Sequence, residues 1–171
     1  MDEYMVLLRL VHIFAGVVWV GAAWFMTFKL NPTVHALGKD GQAFMRDFTR
    51  HSNISRMMMA ASLLTTLAGL LLYYRVSGHF NSDWISSAGG VVLTIGSLAG
   101  IAEFLFGGMV IGPTAKQLSG LGAEIERGGG PPSASQMTRL NTLQSRLGRT
   151  EIVSTVLTII AVAGMAAARY M

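Results

Sequence analysis

The chain contains no cysteine. That excludes disulfides, thiolate metal sites, thiol nucleophiles and covalently attached c-type haem. Charge is also scarce. Only 13% of the 171 residues are Asp, Glu, Lys or Arg, about half the share of an ordinary globular domain. Hydrophobic residues make up 51%, and the mean hydropathy is +0.49. So little polar surface cannot coat a soluble particle, and so apolar a chain does not stay disordered. Nor is there a P-loop, a dinucleotide glycine fingerprint, an HExxH or a nucleophile elbow. No repeat of short period is visible. The N-terminus does not read as a secretory signal, because its first charges are Asp2 and Glu3 and its apolar run is too long.

What is present is four long apolar runs, over about 4–28, 54–74, 84–114 and 150–168. Each is near or above the ~20 residues that cross a hydrocarbon core of ~30 Å. All are far longer than the ~10-residue strand of a membrane barrel. The expected fold is therefore an all-α integral membrane protein, a single four-helix transmembrane bundle.

The basic residues set the expected orientation. The first loop and its flanks hold Lys29, Lys39, Arg46, Arg50 and Arg56. The third holds Lys116, Arg127, Arg139, Arg146 and Arg149, while the second holds only Arg75. Loops one and three are expected in the cytoplasm, with both termini outside the cell inner membrane. The net charge of +4 and the pI of about 9.9 then report orientation, not a nucleic-acid partner.

The loops carry their own pattern. Phe44 and Phe48 in "DGQAFMRDFTRH" stand at i, i+4 and predict a short amphipathic helix. "GGGPPS" at 128–133 reads as a hinge, and Ser133 with Gln136 forms a capping-box pattern. Leu118, Leu121 and Ile125 precede the hinge at helical spacing. Met137, Leu140, Leu143 and Leu147 follow it likewise. Helices three and four are thus expected to extend as a cytoplasmic hairpin over about 114–149, with a kink at Pro113.

Stripes at ~100° per residue select the inward faces. Arg9, His12, Gly16, Trp19 and Ala23 share one in the first helix. Ser55, Ser62, Thr66, Gly69 and Tyr73 share one in the second. The third has Gly89, Gly96, Gly100, Glu103 and Gly107, and the fourth Glu151, Ser154, Thr158, Ala161 and Met165. Small residues mark close helix approach in lipid. A charge at bilayer depth costs at least ~2.5–3.5 kcal/mol on insertion scales. Glu103 is therefore expected to be buried, as a proton-carrying carboxyl or as a hydrogen-bonded bridge between helices.

His12 is the one histidine inside a span, so a bis-histidine haem cannot form within one bundle. A single haem b needs His12 and either a second ligand of another type or an open position. Met165 matches His12 in depth, and Arg9 lies one turn further out, where it suits a propionate. The candidate metal ligands are therefore His12 and Met165. Arg9, Trp19 and Tyr73 complete the candidate cofactor site, and Glu103 is the candidate catalytic residue. Met57, Met58 and Met59 are consecutive and point three ways on a helix, so they serve packing better than copper.

"LRLVHIFAGVVWVGAAWF", with His12, Trp19 and Gly21, resembles the first helix of the copper-resistance protein D-like superfamily. That superfamily includes the J-type protoporphyrinogen oxidases. "ISRMMMAASLLTTLAGLLLYY" resembles their second helix. The likeness covers roughly residues 5–75. It implies haem binding with His12 as ligand and Arg56 as the arginine at the cytoplasmic end. The oxidases carry a lysine in the third helix, whereas this chain has Glu103 there. The leading expectation is a small haem b protein for redox or electron transfer, with a redox partner or a homo-oligomer. The alternatives are a non-enzymatic subunit that docks a partner through the hairpin, and a copper or proton transporter.

Overall fold

The computed structural model describes residues 3–171. Every described element is helical: α1 (Glu3–Phe25), α2 (Asn31–Ala36), α3 (Gly38–His51), α4 (Ile54–Val76), α5 (Ser82–Ile85), α6 (Ala88–Phe106), α7 (Gly112–Arg127) and α8 (Ala134–Ala167). π-helical turns join α1 to α2 (Met26–Leu30) and α6 to α7 (Gly107–Ile111). Four continuous helical stretches are long and apolar enough to cross a membrane: Glu3–Ala36, Ile54–Val76, Ala88–Arg127 and Ala134–Tyr170. The all-helical expectation holds. Large apolar side chains such as Phe14, Val17, Leu64, Leu98 and Ile152 stay exposed. That surface is disfavoured in water by about 25 cal/mol per Å² and is at home against lipid.

The boundaries differ from the expected ones at three places. The first span does not stop near 28, since helix continues to Ala36. The third does not begin at Trp84. Asn81 caps α5 by accepting from the Asp83 and Trp84 amides, so Trp84 belongs to a separate short helix. At Pro113 the helix opens into a π turn, and the same happens at Pro32.

Both π turns have one construction. A proline follows at the second residue of the next helix: Pro32 after Asn31, Pro113 after Gly112. Proline lacks an amide hydrogen, and its ring collides with the carbonyl four residues back. The wider turn relieves that collision. The Asn31 amide donates to the Met26 carbonyl and the Gly112 amide to the Gly107 carbonyl, each five residues back. After each proline a threonine hydroxyl donates to the carbonyl four residues back, Thr33 to Lys29 and Thr114 to Val110, each at 2.7 Å.

The chain divides into two compact units, residues 1–104 with 157–171, and residues 105–156. In the first unit α1 packs along α4. The Tyr73 hydroxyl meets Thr94 Oγ1 of α6 at 2.6 Å. Gly96 of α6 lies against Gly164 of α8. After α4 the chain turns through three residues of positive φ, Gly78 (63°), His79 (65°) and Phe80 (65°). Buried Ser77 holds this turn, its hydroxyl accepting from the Phe80 amide and donating to the Tyr74 carbonyl. The Tyr73, Phe80 and Trp84 rings gather there, with Tyr73 at 6.0 Å from each of the other two. The predicted amphipathic helix is α3, whose Phe44 and Phe48 rings stack at 5.9 Å.

In the second unit α7 and the first half of α8 flank the 128–133 break. The predicted capping box is present. The Gln136 amide donates to Ser133 Oγ, and the Ser133 amide donates to Gln136 Oε1. Gln136 Nε2 also donates to Glu124 Oε1 of α7 at 3.3 Å. Leu121, on the predicted apolar face of α7, is buried.

Candidate functional site: an oriented histidine between α1 and α4

α1 presents His12 to α4. Its Nδ1 lies 2.8 Å from the Thr65 carbonyl oxygen. A carbonyl only accepts, so Nδ1 carries the hydrogen. In the neutral imidazole the lone pair then lies on Nε2, which is how a second partner selects the tautomer of a ligand histidine.

Gly69 makes the room. A Cβ at that position would stand 2.8 Å from His12 Cε1 and 3.0 Å from Nδ1, but 3.9 Å from Nε2. The ring therefore fills the space a side chain would take, with Nε2 the nitrogen turned further from Gly69. One turn along the interface, a Cβ at Gly16 would meet Thr65 Cγ2 at 3.6 Å. Thr65 thus packs its methyl on Gly16 while its carbonyl holds the imidazole. Its hydroxyl is buried without a hydrogen-bond partner.

Ser62 of the expected α4 stripe donates to the Met59 carbonyl of its own helix at 3.1 Å, and the acceptor for His12 is the backbone carbonyl of Thr65. A main-chain acceptor leaves no mark in a list of polar side chains. Gly69 was on the expected stripe, and its role as the notch for the ring follows from the missing side chain.

The other candidates have different surroundings. Arg9 is exposed and Trp19 half-buried on α1. Tyr73, one turn beyond Gly69 on α4, is engaged with Thr94. Met165 places its methyl 3.5 Å from where a Cβ of Gly100 would be, so it packs on α6. Glu103 is 6% exposed on α6 and is not isolated there. Arg56 is exposed at the start of α4.

The third and fourth helices meet through Gly96 and Gly100 against Ala161 and Met165 of the expected stripes, and through Gly164, which lay outside them. A Cβ at Gly164 would stand 2.8 Å from Gly96 Cα, and one at Gly96 would stand 3.1 Å from Gly164 Cα. Ala161 faces Gly100, and Gly89 faces the Ala168 carbonyl. Gly107 departs from the stripe, with nothing within 4 Å of its Cβ position, because it opens the π turn. Among the described residues no three His, Asp or Glu side chains gather as a metal-holding group.

Two open surface patches lie elsewhere. One runs along α8 between Asn141 and Thr150. The other is formed by Trp24, Phe25, Phe28 and Lys29 at the first π turn. In comparisons with known proteins, no family model, curated protein or solved structure matches the chain.

Proposed function

We propose that the chain is a four-span protein of the cell inner membrane, both termini outside, that binds one haem b through His12 for electron transfer. The observation that carries this reading is the oriented imidazole. Its Nδ1–H is given to the Thr65 carbonyl and its ring is seated over Gly69, which leaves Nε2 as the lone-pair nitrogen. That donor arrangement fits a haem iron held by a single histidine, and the resemblance of the first two helices supports it.

When bound, haem supplies a one-electron couple. Everything else falls to this chain's residues. The Thr65 carbonyl fixes the ring and raises its basicity as a ligand. Gly69 clears the space for it. Arg9, exposed one turn toward the N-terminus, would be the cation that meets a propionate. Glu103, buried on α6, would be the carboxyl that exchanges a proton with the interior. Met165, the second candidate ligand, lies with its methyl against Gly100.

Absorbance of the detergent-purified protein tests this reading. A Soret band is expected, and His12→Ala should abolish it. A colourless wild-type protein after expression with ample haem would overturn it in favour of a non-enzymatic docking subunit. The observation that favours this second reading is the helix–loop–helix around 128–133, with its complete capping box and its Gln136–Glu124 bond. Both readings share one topology, in which that segment is cytoplasmic. Single cysteines at Ser82 and Ser133 should label from opposite faces of the membrane, Ser82 from outside. Labelling from one face would refute it.

A further inference from the structure

The open patch on α8 is formed by Asn141, Thr142, Ser145, Arg146, Arg149 and Thr150. These positions recur at four- and five-residue steps, so they form one face of the helix. The patch contains two guanidinium groups and no carboxylate. Thr142 and Thr150 already give their hydroxyls to the Thr138 and Leu147 carbonyls. The donors left for a ligand are Arg146, Arg149, Ser145 and the Asn141 amide. Both arginines are exposed.

Depth decides what such a face meets. No charged residue occurs from Ile152 to Ala168, so the hydrocarbon segment of α8 starts near Ile152. At 1.5 Å per residue, Arg149 and Arg146 stand roughly 4.5 and 9 Å before that point. The interfacial layer of one leaflet is about 5–8 Å thick. Arg149 therefore falls within the headgroup layer, and Arg146 starts just beyond it, where its long side chain reaches back to a headgroup phosphate. Guanidinium binds phosphate oxygens in a bidentate fork. Ser145 stands between Arg149 and Asn141 on the same face, where its hydroxyl adds a neutral donor.

We propose that this face of α8 is a binding site for the phosphate of an anionic phospholipid. A free phosphate offers the same oxygens but is not delivered at this depth. The headgroup of a phospholipid is, and its acyl chains continue along the apolar segment that follows. The site does not depend on haem binding or on which leaflet α8 enters.

Native mass spectrometry of the full chain from mixed micelles tests this. The probes are dioleoyl phosphatidylglycerol, dioleoyl phosphatidylcholine and inorganic phosphate. The wild-type protein should retain phosphatidylglycerol in preference to phosphatidylcholine. Arg146→Gln with Arg149→Gln should lower that retention by about thirtyfold, since each basic residue near a membrane surface contributes about 1 kcal/mol. Ser145→Asp, which adds a like charge to the phosphate without removing an arginine, should lower it too. Arg127→Gln with Arg139→Gln, outside the face, should leave it unchanged. Equal retention by the Arg146/Arg149 variant would overturn the proposal. So would displacement of the lipid by an equal concentration of inorganic phosphate, which would assign the site to a soluble anion.

Discussion

Two pairs of helices in the first unit solve the same packing problem by different means. α6 and α8 approach through glycine on both sides, Gly96 against Gly164, so backbone meets backbone. In α1 and α4 each glycine faces a side chain instead, Gly16 the Thr65 methyl and Gly69 the His12 ring, which takes the space over it. Lipid offers no hydrophobic drive for either pair, so van der Waals contact and interhelical hydrogen bonds must hold them. The first pair meets backbone to backbone at its crossing. The second adds a bond from an imidazole to a backbone carbonyl. The first is therefore a structural joint, and the second is a joint that also fixes the orientation of a titratable ring.

The comparison breaks most severely at Gly164. In Gly164→Leu the new side chain meets the Gly96 backbone, which cannot rotate away. We expect a loss of about 1–3 kcal/mol or more, read as a lowered unfolding midpoint in detergent, with haem loss only as a consequence of unfolding. Glu103, on the same helix as Gly96, comes next. Glu103→Leu should destabilise by about 1–3 kcal/mol by leaving buried polar groups unsatisfied. Glu103→Gln should fold normally and yet flatten the pH dependence of the haem midpoint potential. An unchanged pH response in that variant would reduce Glu103 to architecture.

At the α1–α4 joint the effect is smaller, because a side chain can move where a backbone cannot. Gly69→Ala should push the ring aside and weaken the bond to Thr65, at a cost of about 1 kcal/mol. ¹⁵N chemical shifts of His12 should then show a mixed tautomer population in place of a pure Nε2 lone pair. A tautomer left intact would mean that the Thr65 carbonyl alone orients the ring. The smallest effect belongs to Gly21, whose Cβ position on α1 has nothing within 4 Å. Gly21→Ala should raise stability by about 0.5 kcal/mol through helix propensity alone. A marked loss there would reveal a contact to Gly21 that one copy of the chain does not make.

Sequence patterns rendered the glycine joint better than the histidine joint. Gly96, Gly100, Ala161 and Met165 fell on two stripes at helical period and do meet, whereas Gly164, which faces Gly96, lay outside the expected stripe. The capping box at Ser133 and Gln136 was equally plain, because both of its bonds come from side chains with a fixed spacing. Thr65 was passed over for Thr66 because the group that matters at Thr65 is its main-chain carbonyl, which every residue has. The start of the third span was misplaced because Trp84 is apolar. Asn81, the cap that makes it a separate helix, lies outside the apolar run. The π turns escaped a reading at a constant 100° per residue, although Pro32-Thr33 and Pro113-Thr114 mark both of them.

Those two elbows bear on how this chain tolerates changes of length. A turn closed by a bond five residues back holds one residue more than a turn closed at four. Deleting a single residue within Met26–Leu30 or Gly107–Ile111 therefore converts the wide turn to a regular one and leaves the following helix in nearly its original rotation. The same deletion at mid-helix would swing every later side chain by about 100°. Single-residue deletions in α1 and α6 should accordingly be survivable at the elbows and disruptive at His12 or Gly96.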